Sequence, residues 1–169
     1  GNRDRWIIQG HIGSTWRDGQ YTRTRDMDEV PPAFEDLLAH LGTDHVELGM
    51  IHYVDDVDEY KGIMDGEFIA YVRELKAAGT IEHIGLSTHS PQVAKLAALS
   101  GEVEAIMFSV NPAFDLLPAT TDIESALFGS DYDDTLEGME PARAELYALC
   151  ERENVGLTVM KGFAGGRLF

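Results

Sequence analysis

The chain has 169 residues, 44% of them hydrophobic, and its 30 acidic and 13 basic side chains give a formal net charge of −17. That apolar fraction suits a single globular domain and is too high for a disordered acidic chain. A pI near 4.5 argues against nucleic acid or an anionic membrane surface as partner, because phosphates need a basic face.

Residues 5–11, with the run Trp6-Ile7-Ile8-Gln9-Gly10-His11, read as a first strand followed by a polar loop through Trp16, Gly19 and Tyr21. Asp26 or Asp28 is placed to cap the next helix, with Pro31 and Pro32 in its first turns. Phe34, Leu37, Leu38 and Leu41 supply its apolar face, and Gly42 stops it. Residues 46–53 form a second strand that delivers His52 at its C-terminal end. A helix over 66–78 places Phe68, Ile69, Val72 and Leu75 on one side and ends at Gly79. Residues 81–87 give a third strand. Ser90-Pro91 then opens a helix in the preferred N-cap and N1 positions, running to about Ser100. Residues 103–110 form a fourth strand, and a long acidic loop spans 111–139. Pro141 begins a helix running to about Asn154, and residues 155–161 form a fifth strand followed by Gly162-Phe163-Ala164-Gly165-Gly166.

Five strands alternating with four helices predict a parallel sheet. A closed barrel of this kind needs eight strands, so the pattern is expected to be an excerpt of a larger domain. Cys150 is the one cysteine, which rules out a disulfide framework within the chain. Its apolar helical setting reads as a half-buried core thiol. No stretch approaches the roughly 18 apolar residues of a membrane span. The N-terminal Gly-Asn-Arg-Asp-Arg lacks a signal-peptide core, so the expected setting is the cytoplasm.

In parallel α/β sheets, ligands bind at the C-terminal ends of the strands. Here those ends carry His11, His52, Ser87, Asn111 and Lys161, all able to hydrogen-bond. Any one of them reads equally well as an ordinary strand end, but five in succession favour a polar site on one rim. The other histidines are better explained locally. His40 sits at a helix C-terminus, where the dipole favours a cation. His45 lies in a turn and His83 near the N-terminal end of its strand. His89 follows Ser87 by two residues, and the rim and a loop-capping role are equally good readings for it. The acidic runs Asp55, Asp56, Asp58, Glu59 and Asp131, Asp133, Asp134 read as solvated loops in preference to metal sites. Gly165-Gly166 lacks the spacing of a dinucleotide or phosphate loop. Behind Lys161, however, backbone amides and a cation can together hold phosphate oxygens.

Several segments resemble the aldo-keto reductase family. Leu41-Gly42-Thr43-Asp44-His45-Val46-Glu47-Leu48, running into Ile51-His52, is similar to the family's approach to its fourth strand. The stretch from Leu75 to Ser87 resembles its "L-K-x-x-G-x-I-R-x-I-G-x-S" signature. Asn111-Pro112 and the segment from Val159 to Leu168 match its later strand ends. The resemblance implies an α/β fold, a (β/α)8 TIM barrel present in part. Residues 1–169 are then a partial barrel domain covering strands three to seven, with N- and C-terminal parts missing and no activity in isolation.

It further implies hydride transfer between NADP(H), with NAD(H) the other option, and a small-molecule carbonyl substrate. In that reading His52 is catalytic and polarises the carbonyl, while His11 stands where the family carries its catalytic lysine. The matching aspartate and tyrosine would precede residue 1. The histidine-for-lysine exchange is similar to a divergent subgroup, some of whose members carry a C-terminal iron–sulfur segment. Cofactor contacts fall by resemblance on Ser87, on Thr88 (where many members have asparagine), on Met160 (where many have an aromatic ring), and on Lys161, Gly162, Phe163 and Gly165. Met107 or Phe108 lies near a common glutamine contact. Two other readings stand beside this one: a family-like binding or regulatory protein without turnover, and a metal-dependent barrel hydrolase using His11, His52 and His89.

Overall fold

The computed structural model describes residues 2–111, 115 and 139–164. After a 3-10 turn at Arg3–Arg5, the elements in chain order are β1 (Gln9–Ile12), β2 (Ser14–Arg17), β3 (Gln20–Arg23), α1 (Val30–Leu41) and β4 (Val46–Ile51). Then come α2 (Val57–Asp65), α3 (Glu67–Ala77), β5 (Ile81–Thr88), α4 (Pro91–Leu99), β6 (Ala105–Ser109), α5 (Pro141–Arg152) and β7 (Gly156–Met160).

β1, β4, β5, β6 and β7 form one sheet in that spatial order, every pairing parallel. Sequence neighbours are therefore spatial neighbours, joined by helical crossovers, which is the architecture of a partial (β/α)8 barrel. The sheet curls strongly. Thr158 Oγ1 on β7 lies 3.4 Å from Gln9 Oε1 on β1, so the outermost strands face one another across the interior. All five strands end on the same side, and the strand-end residues share a rim. Among the described residues, no helix is long and apolar enough to cross a membrane.

Three expectations are corrected. The segment after β1 is a β-hairpin rather than a polar loop, with β2 and β3 antiparallel and Arg17 opposite Gln20. Asp18 and Gly19 both have positive φ, 52° and 76°, the conformation of a type I′ turn. Asp-Gly between Thr, Trp, Tyr and Thr is the standard signal for it. The first strand begins later than expected, at Gln9, and Trp6 and Ile7 are exposed. Arg3 holds that entry segment by pairing with Glu47 at 2.8 Å, and Glu47 also accepts the Ile8 N–H. Finally, the acidic run after His52 is no solvated loop. Asp56 caps α2 by accepting from the Asp58 and Glu59 N–H groups, and Asp58 and Glu59 occupy the first turn, where the helix dipole favours anions.

The core lies between the sheet and its helices, with Phe34, Ile51, Ile69, Leu86 and Phe108 almost wholly buried. Arg143, with 2% exposure, is its one buried cation among the described residues. Its guanidinium donates to the Ser109 carbonyl at 2.9 Å and lies 4.9 Å from the Phe108 ring centre. Packing on β4 is tight enough to require glycine. A Cβ on Gly49 would come within 2.7 and 2.8 Å of two Ile81 carbons and 3.1 Å of Ile12. Gly49→Ala is therefore expected to lower stability by about 1–3 kcal/mol through overpacking. The urea midpoint reads this out, and an unchanged midpoint would contradict it.

Candidate active site

β4 runs out at Ile51, and the next residue, His52, donates its backbone N–H to the Ile12 carbonyl at 2.9 Å. The chain then turns sharply. Tyr53 has φ 50°, a left-handed conformation that a bulky residue rarely adopts. Its N–H donates to Ser87 Oγ at 2.7 Å, and the Val54 N–H donates to the Ser87 carbonyl at 3.0 Å. The turn after β4 is thus built onto the end of β5.

The imidazole of His52 stacks on that of His11, ring centres 4.6 Å apart and planes 18° from parallel. Tyr21, on β3 opposite Trp16, closes the group. Its ring centre is 5.4 Å from that of His52, and its hydroxyl lies 3.4 Å from His11 Nδ1 and 2.5 Å from Ser14 Oγ. Burial, with His11, Arg25 and Arg23 nearby, pushes the His52 pKa down to about 4. Burial also lowers that of His11. Both rings are therefore uncharged at neutral pH. His52 Nδ1 is buried without a partner. We assign the neutral Nε2–H tautomer, since a buried lone pair without a partner is less costly than a buried orphan N–H. That leaves Nε2–H as the donor available to a ligand.

Ser87 and Thr88 close β5 and are both buried. Besides accepting from Tyr53, the Ser87 hydroxyl faces the Ile51 carbonyl at a long 3.5 Å. Thr88 Oγ1 donates to Asp55 Oδ1 at 2.9 Å and accepts from the Ser90 N–H at 3.0 Å. Asp55 also accepts the His89 N–H at 2.6 Å and pairs with His89 Nδ1 at 2.9 Å. Burial opposes the charge on Asp55, but these hydrogen bonds from His89 and Thr88 outweigh it and hold its pKa below the usual carboxylate value. Across the rim, Asn111 Nδ2 donates to the Lys161 carbonyl at 2.9 Å. Lys161, with φ 53°, starts a turn through Gly162 and Phe163 that closes when the Ala164 N–H donates back to its carbonyl at 2.8 Å. Met160 ends β7, half-buried. Gly165 lies outside the described residues.

The structure therefore brings the five strand-end residues into two groups, His11, His52 and Ser87 on one side and Asn111 and Lys161 on the other. His89 points elsewhere, onto Asp55. The flat stacking of His11 on His52 does not converge their nitrogens. Among the described residues, no three His, Cys, Asp or Glu side chains could hold a metal. Sequence reasoning missed Tyr21, Asp55 and Arg25. The Asp-Gly turn could have found the first. Arg25 carries no local signal, because its partners His52 and Tyr53 are 27 and 28 residues away.

A family model described as the aldo/keto reductase family matches residues 4–169. No curated protein sequence matches the chain. Among solved structures, an assigned aldo-keto reductase from Pseudomonas aeruginosa superposes with a TM-score of 0.66 at 20% identity, over 94% of this chain and 51% of that one. A holo-form aldo-keto reductase from Bacillus halodurans gives 0.64 at 22% identity, over 94% and 44%. A glycerol dehydrogenase from Gluconobacter oxydans gives 0.57 at 18%, over 88% and 38%. The chain spans about half the length of the first of these structures.

The His52 pKa has a consequence for stability. An unfolded histidine takes up its proton as pH falls through about 6.5, whereas folded His52 resists protonation down to about 4. Between those values the unfolded chain binds more protons, so acidification draws stability out of the fold. The urea midpoint is expected to fall from pH 6.5 to pH 4, and less steeply in His52→Gln. Equal slopes in the two proteins would contradict a neutral, buried His52.

Proposed function

The chain belongs to the aldo/keto reductase family, and from that premise we propose that it forms part of an oxidoreductase transferring a hydride between NAD(P)H and a carbonyl compound. The observation that carries this reading is the state of His52. It is a neutral imidazole at the C-terminal rim, fixed by stacking on His11, with Nε2–H its unengaged donor. Such a group donates a hydrogen bond to a carbonyl oxygen and stabilises negative charge as it develops there, without giving up its own proton.

The residues present fit a nicotinamide dinucleotide at two places. Lys161 has no ion-pair partner among the described residues, and the exposed turn Gly162-Phe163 beside it suits a pyrophosphate. On the facing side, the Ser87 hydroxyl hydrogen meets only the distant Ile51 carbonyl and is available to a carboxamide oxygen. Met160, half-buried at the end of β7, offers a thioether to pack on a ring. When bound, the nicotinamide supplies the hydride to the carbonyl carbon. His11 stands where the family has lysine. Its lowered pKa makes it a packing and hydrogen-bonding partner of Tyr21 and His52 at neutral pH, not a fixed cation. NADP(H) is the proposed cofactor, with NAD(H) second, and the proposed substrate is a small carbonyl compound.

Two features favour a second reading, a cofactor-binding or regulatory protein without turnover. The Thr88 hydroxyl is spent on Asp55 and Ser90, and the standing cation of the family's site is replaced by an uncharged ring. The two readings separate in one experiment on the protein that carries this chain. NADPH binding is followed by fluorescence and its oxidation by absorbance against a panel of aldehydes and ketones. The reductase reading predicts carbonyl-dependent oxidation. His52→Gln should then lower kcat/KM by about 10²- to 10³-fold and leave nucleotide affinity unchanged. Binding without oxidation against every carbonyl would establish the second reading instead.

A further inference from the structure

We propose that Arg25 is the positioning residue for His52: its guanidinium, forked onto the carbonyls of His52 and Tyr53, holds the backbone turn from which the imidazole projects. This rests on His52 being the substrate-facing group. Arg25 Nη2 donates to the His52 carbonyl at 2.6 Å and to the Tyr53 carbonyl at 3.0 Å. Nη1 reaches the Gly13 and Thr24 carbonyls at 3.4 and 3.2 Å, and Nε donates to Glu59 Oε1 at 3.0 Å. The guanidinium carbon lies 5.4 Å from the ring centre of Phe68. One side chain thus joins the exit of β1, the exit of the hairpin, the exit of β4, and helices α2 and α3.

Three features mark this as a built device and not a surface ion pair. The Arg25 side chain is only 22% exposed. Gly13 leaves room for it: a Cβ there would lie 2.6 Å from Arg25 Nη1. The peptide it grips is the strained one, because Tyr53 holds φ 50° and such conformations persist only where the surroundings over-determine them. Arg23 adds a second grip from outside, donating to the Tyr53 carbonyl at 2.7 Å while its guanidinium sits 5.0 Å from the Tyr53 ring centre. Glu59 accepts from both arginines and so holds the clamp in register. Lysine cannot replace Arg25, because a point cation lacks the planar fork that meets two carbonyls and a carboxylate together.

The test separates this proposal from the reading of His52 itself. In Arg25→Met, which keeps most of the aliphatic stem over Phe68, the His11–His52 ring contact seen by NMR is expected to be lost, with His83 resonances unchanged. Where turnover is present, kcat should fall by about 10²-fold, the scale set by misplacing a reacting group by an ångström, with little change in KM. Arg25→Lys is expected to behave like Arg25→Met, and it decides the matter alone if the methionine variant does not fold. Wild-type ring contacts in the folded variant would overturn the proposal whatever the activity. Intact control of the ring contact by Arg25, with His52→Gln fully active, would instead fault the assignment of His52.

Discussion

The turn at His52-Tyr53 is the constraint on which the rim depends. A parallel strand left to itself continues extended past the sheet, and its last side chain follows the pleat. Here the backbone enters the left-handed region at Tyr53, at a cost on the order of 1–3 kcal/mol for a non-glycine residue. Four groups meet that cost. Ser87 takes the Tyr53 N–H with its hydroxyl and the Val54 N–H with its carbonyl, while Arg23 and Arg25 take the carbonyls. The consequences run outward. Once turned, the chain delivers Asp55 to Thr88 and His89 at the end of β5, and the next residue, Asp56, to the cap of α2. One strained peptide therefore fixes the mouth of β4, the mouth of β5 and the start of the following helix.

The electrostatics of the rim differ from those of the whole chain. A net charge of −17 suggests a uniformly acidic surface, yet much of the acid is spent in welding elements together. Arg73 pairs with Glu102, Lys76 with Glu104, and Lys95 with Glu145. At the rim itself, Asp55 and Glu59 are both committed to partners. Arg23, Arg25 and Lys161 lie there with two uncharged imidazoles. These three cations at the mouth are compatible with a nucleotide phosphate even on an acidic protein, as the proposed function requires.

The layout of the sheet was legible in the sequence because buried parallel strands read as apolar runs and their helices as 3.6-residue patterns with clear stops. Gly42 ends α1 in the left-handed region, and Ser90-Pro91 opens α4 by accepting the Val93 N–H. The rim followed, since the residue at which each apolar run gives out is the residue at the mouth. What stayed hidden had two causes. Composition cannot distinguish an acid in water from one that caps a helix or pairs inside, so Asp55 and Asp56 read as a solvated run. Arg25, meanwhile, acts through partners separated from it by up to 34 positions, on elements it does not belong to. No local window contains that information. The hairpin is a different case, because Asp18-Gly19 announced it and the polar residues around it obscured the pattern.

The proposed role of the rim is to orient a carbonyl for hydride transfer, with neutral His52 as the polarising donor. It is tested most directly by following the isotope. The protein that carries this chain is given NADPH deuterated at the nicotinamide C4 and a carbonyl compound, and the alcohol product is examined by mass spectrometry and NMR. Deuterium is expected on the former carbonyl carbon, delivered from one face of the nicotinamide, with its rate of transfer lowered about 10²- to 10³-fold in His52→Gln. Bound nucleotide with no deuterium in any product, or transfer undiminished in His52→Gln, would contradict it.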